Sequence, residues 1–224
     1  MLTVSSLSKQ FHQNGKPRTL FKDLSFQLGP SERLAVLGRN GQGKSTLIKI
    51  LGGVLNQTSG HVQWSMSSSW PLGFGGGFQG GLTGIDNIRF LARIYDRSFA
   101  EMNEKVRDFA ELGDAMTMPV KHYSSGMRAR LAFGMSLAIE FDCYLIDEVI
   151  AVGDDLFREK CERELFVKRG ARAFVIASHD LNFIRKICHR AVIVEHGEAI
   201  LFDELEEAVE AYSAIGRDRD RDMV

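Results

Sequence analysis

The run Gly38-Arg39-Asn40-Gly41-Gln42-Gly43-Lys44-Ser45 sets glycines, a lysine and a hydroxyl at the spacing GxxxxGK[ST]. It follows the apolar stretch Leu34 to Leu37 and opens a segment with helical character, Lys44 to Leu55. Glycines let such a loop wrap so that backbone N–H groups and the following helix start, Thr46 included, point at phosphate oxygens. Lys44 is then placed to neutralise β- and γ-phosphate charge, and the Ser45 hydroxyl to ligate Mg²⁺. The alternative is a glycine-rich turn before an ordinary helix, and the flanking apolar strand argues against it.

A nucleotide held there needs carboxylates from the end of another buried strand. The sequence Phe141-Asp142-Cys143-Tyr144-Leu145-Ile146-Asp147-Glu148 supplies two in succession after an apolar run. Asp147 is placed to hold Mg²⁺ through water, and Glu148 to act as the base that aligns the attacking water. Two acids capping the next segment are the plainer reading. Ala177-Ser178-His179-Asp180 follows a further strand, which puts His179 within reach of the γ-phosphate. A lone histidine at a strand end is more often structural; beside the two other motifs it reads as part of an ATP-hydrolysing site.

These groups need a sheet to position them. Buried strands are expected at Arg33 to Leu37, Tyr144 to Ile146, Ala173 to Ala177 and Ala191 to Glu195, alternating with helices at Lys44 to Leu55 and Ser124 to Glu140. That pattern is α/β with a mostly parallel sheet. From Thr83 to Ile139 the alternation stops and helical patterning dominates, as in an inserted α-helical subdomain; the glycine-rich stretch Pro71 to Gly81 is its flexible entry. The Arg/Asp run of Gly216 to Val224 has little to bury and is expected to form a frayed tail.

Composition narrows the function further. The 224 residues carry 28 Lys and Arg against 29 Asp and Glu, a net charge of −1, which offers no bulk attraction to nucleic acid. No apolar run approaches the 18 or so residues of a membrane span, and the N-terminus lacks the pattern of a secretory signal, so a cytosolic chain is expected. Three cysteines, Cys143, Cys161 and Cys188, form no CxxC pair and suit reduced, buried thiols.

The stretch Tyr123-Ser124-Ser125-Gly126-Met127-Arg128-Ala129-Arg130-Leu131 is similar to the signature helix start of ABC transporter ATP-binding subunits, and the whole chain resembles that family. The resemblance implies a P-loop NTPase (RecA-like) core at 1–82 and 140–215, with N-terminal antiparallel β elements and a helical subdomain at about 83–139. It implies ATP and Mg²⁺ as cofactors and a homodimer that sandwiches nucleotide. Ser124, Ser125 and Gly126 would then face the γ-phosphate bound by the partner, whereas on their own they read as a helix cap. Gln79 matches the glutamine that senses Mg²⁺ and water, the alternative being an exposed loop glutamine. Asp154 matches the subunit-contact loop. Phe11 sits where the family stacks an aromatic on adenine, or is a buried strand aromatic. The chain departs from the usual signature at Ser125, where a glycine is common, and at Met127, where a glutamine is.

Trp70-Pro71-Leu72-Gly73, Gly76-Gly77-Phe78-Gln79-Gly80 and Asp147-Glu148-Val149-Ile150-Ala151-Val152-Gly153-Asp154 together resemble the branch that exports capsular polysaccharide, O-antigen and teichoic acid, and most of all its capsular members. That likeness implies a peripheral ATPase on the cytoplasmic face of the bacterial inner membrane, bound to an integral membrane permease in two copies and serving polysaccharide export. O-antigen or teichoic-acid export is the near alternative. A soluble non-transport ABC ATPase is the remote one, and a nucleotide-binding regulator without hydrolysis is opposed by the Asp147-Glu148 pair.

Overall fold

The computed structural model describes residues 1–13, 16–72, 79–147 and 155–222. The chain divides into two compact units: Met1–Pro71 with Asp142–Glu148 and Ala171–Val224, and Leu72–Phe141 with Val149–Gly170. Residues 149–170 thus group with the inserted helices, whereas the family resemblance implies a core that includes 140–215.

The first unit holds two sheets. β1 (Leu2–Gln13) and β2 (Lys16–Leu28) pair antiparallel, and β4 (Ser59–Trp64) flanks β1 in the order β2-β1-β4. Along the second half of β2, buried Leu24, Phe26 and Leu28 alternate with exposed residues, the period-two signature of a sheet with one wet face. The second sheet has the order β5-β6-β3-β7-β8, built from β3 (Arg33–Leu37), β5 (Cys143–Asp147), β6 (Ala173–Ala177), β7 (Arg190–Glu195) and β8 (Glu198–Phe202). Its first four members are parallel and almost wholly apolar, as strands covered on both faces must be; β8 returns antiparallel to β7. One core joins the layers: Leu34, Val36, Leu145, Val175 and Val192 of the parallel sheet pack with Leu47, Ile48 and Leu51 of α1 (Lys44–Leu51) and with Leu2, Phe21 and Leu28 of the antiparallel sheet.

Helix α1 is one turn shorter than its pattern. Gly52 caps it, and its N–H returns to Ile48 O at 3.0 Å. Helices α6 (Leu181–Ile187) and α7 (Leu205–Asp222) complete the unit. The backbone of α7 stays helical through the Arg/Asp run to Asp222 where a tail was expected, since propagating a helix gains one hydrogen bond per residue without requiring burial.

The second unit is helical: α2 (Gly84–Ile94), α3 (Phe99–Ala110), α4 (Ser125–Leu137) and α5 (Asp155–Glu162), the last continued by a π turn at Arg163–Val167. Thr83, Ser98 and Ser124 cap α2, α3 and α4, each hydroxyl accepting a backbone N–H three residues on. Tyr123 packs its hydroxyl on the Ala115 carbonyl at 2.6 Å, leaving room for no side chain at Gly84. The three thiols are free and buried, and burial pushes each up to about 12.

Candidate functional site

Four parallel strands deliver their C-terminal ends to one sheet edge. The register sets Ala177 beside both Val36 and Asp147, and Leu37 beside Ile193. Residues that leave the sheet there are therefore neighbours: the 38–46 loop after β3, Asp147 closing β5, His179 two residues past β6, and Glu195 closing β7. This is where open α/β sheets bind ligands.

The loop is shaped by its glycines and by contacts at each end. Gly38 has φ 149°, and a Cβ there would lie 2.3 Å from the Val194 carbonyl oxygen, so only glycine lets the loop pass over β7. Gly43, at φ 119°, turns the chain into α1. The first bond inside α1 runs from Leu47 N–H to Gly43 O at 2.8 Å, so the N–H groups of Lys44, Ser45 and Thr46 have no partner within the helix. Together with Leu20, Arg39, Asn40, Gly41 and Gly43 these residues line a cavity of about 290 Å³. Backbone donors at a helix N-terminus around a cavity of that size make an anion site.

Lys44 is 6% exposed, and its ammonium donates to Gly38 O at 2.6 Å and Arg39 O at 3.2 Å. Two of its three N–H bonds are thus spent on holding it in the loop, and the third is left for phosphate. Ser45 Oγ donates to Asp147 Oδ1 at 2.8 Å, joining two motifs 102 residues apart in sequence. A hydroxyl and a carboxylate side by side are hard oxygen donors, the kind Mg²⁺ takes when phosphate oxygens and water complete its octahedron. The expected metal ligands Ser45 and Asp147 are therefore in mutual contact.

The remaining expectations fall out unevenly. Phe11 is 39% exposed on β1, with the Lys9 ammonium 4.5 Å above its ring, so it is not the buried aromatic that was its alternative. Arg18, its cross-strand partner on β2, donates to Gly41 O at 3.1 Å and ties this hairpin to the phosphate loop. His179 is exposed rather than packed in the core, and Asp180 behind it caps α6 through the Phe183 N–H at 3.0 Å. Gln79 is also exposed; its backbone is gripped by Asn87, whose Oδ1 accepts Gln79 N–H at 2.8 Å and whose Nδ2 donates to Gln79 O at 3.2 Å. Ser124 Oγ caps α4 by accepting Met127 N–H at 3.2 Å, which leaves its own O–H to donate, and exposed Ser125 and half-buried Gly126 open the first turn. Gln79 and 124–126 belong to the helical unit. Glu148 and Asp154 lie outside the described residues.

Three residues escaped the sequence reading. Asn87 is a polar residue at an apolar position of α2, between buried Gly84 and Leu91. Arg18 has no local signal. Glu195 ends an apolar strand, and its Oε2 accepts the Arg39 N–H at 3.0 Å; a charge closing a buried run was the available clue.

The model of the ABC transporter family matches residues 21–151, a stretch that begins within β2 and takes in β5. The chain belongs to the ABC transporter family. Its relatives include the ATP-binding protein BexA of Haemophilus influenzae, 48% identical over 95% of this chain and 98% of that one. The capsule polysaccharide export ATP-binding protein CtrD of Neisseria meningitidis serogroup B is 46% identical over 96% of this chain and all of its own length. Among solved structures, the dimeric ATP-binding cassette MJ0796, in a post-hydrolysis state bound to ADP and Pi, superposes with a TM-score of 0.77 over 92% of this chain and 99% of that one. At 18% identity that likeness concerns the fold, and it places this chain's sheets and inserted helices among ABC cassettes. Among the described residues no helix is long and apolar enough to cross a membrane.

Proposed function

We propose that this ABC subunit hydrolyses ATP to drive bacterial export of capsular polysaccharide, working as a homodimer docked on a separate membrane permease at the cytoplasmic face of the inner membrane. Similarity over nearly the full length to a capsule polysaccharide export ATP-binding protein supports the substrate class. The contact of Asp147 with Ser45, which lines the cavity at the loop, carries the chemistry.

In this reading the 38–46 loop wraps the phosphates with its N–H groups, and Lys44 gives its remaining N–H to the β/γ oxygens. Ser45, and Asp147 through water, would hold Mg²⁺, which would neutralise charge developing on the transferred phosphoryl group. Glu148 takes a proton from the attacking water, while His179 and Gln79 orient that water and the γ-phosphate. Phe11 stacks on adenine, with Arg18 fixing its hairpin to the loop. Ser124, Ser125 and Gly126 of the partner subunit close the site from the other side, with Asp154 at the contact between copies. A ligand shifts an equilibrium only by its differential affinity, so ATP bridging two copies favours the closed dimer and hydrolysis releases it.

The test is export by the chain with its permease in vesicles. Glu148→Gln is expected to bind ATP and abolish ATP-dependent polymer export; normal export by that variant overturns the assignment.

A further inference from the structure

One peptide unit of the phosphate loop is held at both ends by buried charges. The unit joining Gly38 and Arg39 is trans, so its carbonyl and its N–H point in opposite directions. On the carbonyl side the Lys44 ammonium donates to Gly38 O at 2.6 Å. On the other side Glu195 Oε2 accepts the Arg39 N–H at 3.0 Å. Carboxylate, peptide dipole and ammonium are thus aligned in series, each polarising the next, and hydrogen bonds to ionised groups are the stronger kind.

Glu195 is an unusual residue to find there. Its side chain is 4% exposed, and Oε1 is buried with no hydrogen-bond partner among the described residues; the His196 imidazole Nε2 is 3.8 Å away, beyond hydrogen-bonding reach. A buried carboxylate with one oxygen unpaired destabilises a fold relative to an apolar side chain of the same shape. Among the described residues its side chain makes one hydrogen bond, and that goes to the phosphate loop. The adjoining residue of β7 acts on the same point, since the Val194 carbonyl excludes any side chain at Gly38.

We infer that Glu195 is a positioning residue of the ATP site: it fixes the rotation of the Gly38–Arg39 peptide and thereby the carbonyl that aims Lys44. The inference deepens the assignment of the 38–46 loop as the phosphate site and rests on it. Losing the acceptor frees the peptide to rotate, scatters Lys44 among orientations and weakens ATP binding. Bound ATP draws Lys44 back onto its phosphates, so turnover of bound nucleotide stays near its original rate.

Steady-state hydrolysis by the full chain tests this with Glu195→Met, which keeps length and apolar fit without an acceptor, and Glu195→Gln, whose amide oxygen still accepts the Arg39 N–H. The expected result is a KM for ATP raised roughly tenfold in the Met variant with kcat within about twofold, and a KM within about twofold of the parent in the Gln variant. Hydrogen exchange in the peptide spanning Arg39 should quicken in Met and not in Gln. An unchanged KM in a folded Met variant overturns the inference, as do equal rises in both variants. Should the Met variant not fold, a KM raised about fivefold or more in Gln decides against it. Lys44→Ala is the control: if it binds ATP normally, the loop assignment fails rather than the role of Glu195.

Discussion

At Gly38 a single methyl group tests how closely the phosphate loop is built onto the sheet. The residue holds φ 149°, and a Cβ would meet the Val194 carbonyl oxygen at 2.3 Å. Gly38→Ala is therefore expected to lower stability by about 1–3 kcal/mol and to displace the loop. Denaturant unfolding and a nucleotide titration check this together, and an alanine variant with parental stability and ATP affinity contradicts the loop geometry. The chemistry of Lys44, Ser45 and Asp147 was legible from sequence because residue type and spacing alone dictate it. The contacts of Arg18 and Glu195 with the loop were not, because they join residues 23 and 156 positions apart that only the sheet registers bring together.

At the scale of elements, strands were easier to read than helix ends. β3 and β6 match their apolar runs residue for residue, since fully buried parallel strands are marked by unbroken hydrophobicity. Helix α4 ends at Leu137, short of its pattern, because apolar residues continue past the last turn and periodicity does not mark the stop. Helix α2 hides its most consequential residue. Asn87 is 1% exposed and holds Gln79 N–H and O, Leu82 O and Thr83 O. Asn87→Ala leaves the Gln79 N–H without its acceptor, while Gln79 O, Leu82 O and Thr83 O keep backbone donors, and is expected to cost about 1–3 kcal/mol of stability. With Gln79 then loosely held, ATP hydrolysis should fall more than ATP binding. Urea unfolding and paired binding and turnover assays measure both effects; hydrolysis and binding that fall together would show that Asn87 supports the fold without positioning Gln79.

At the scale of the whole molecule, the class of fold followed from alternating strands and helices interrupted by one helical stretch, and both units bear it out. The grouping of residues 149–170 with the inserted helices was not legible, since amphipathic helices on a sheet and in a helical unit carry the same pattern. In the proposed reading a second copy completes the ATP site. Ser124 offers its hydroxyl proton at an exposed helix start in the helical unit, while the phosphate loop lies at the sheet edge of the other. The proposed two-copy site requires a second chain to bring such a helix start to each loop.

That requirement is measured by light scattering on the purified Glu148→Gln chain, with and without ATP and Mg²⁺. The mass is predicted to double when ATP is added and to return to that of one chain when it is removed. A chain that binds ATP yet keeps the mass of a single copy at saturating nucleotide contradicts the two-copy ATP site.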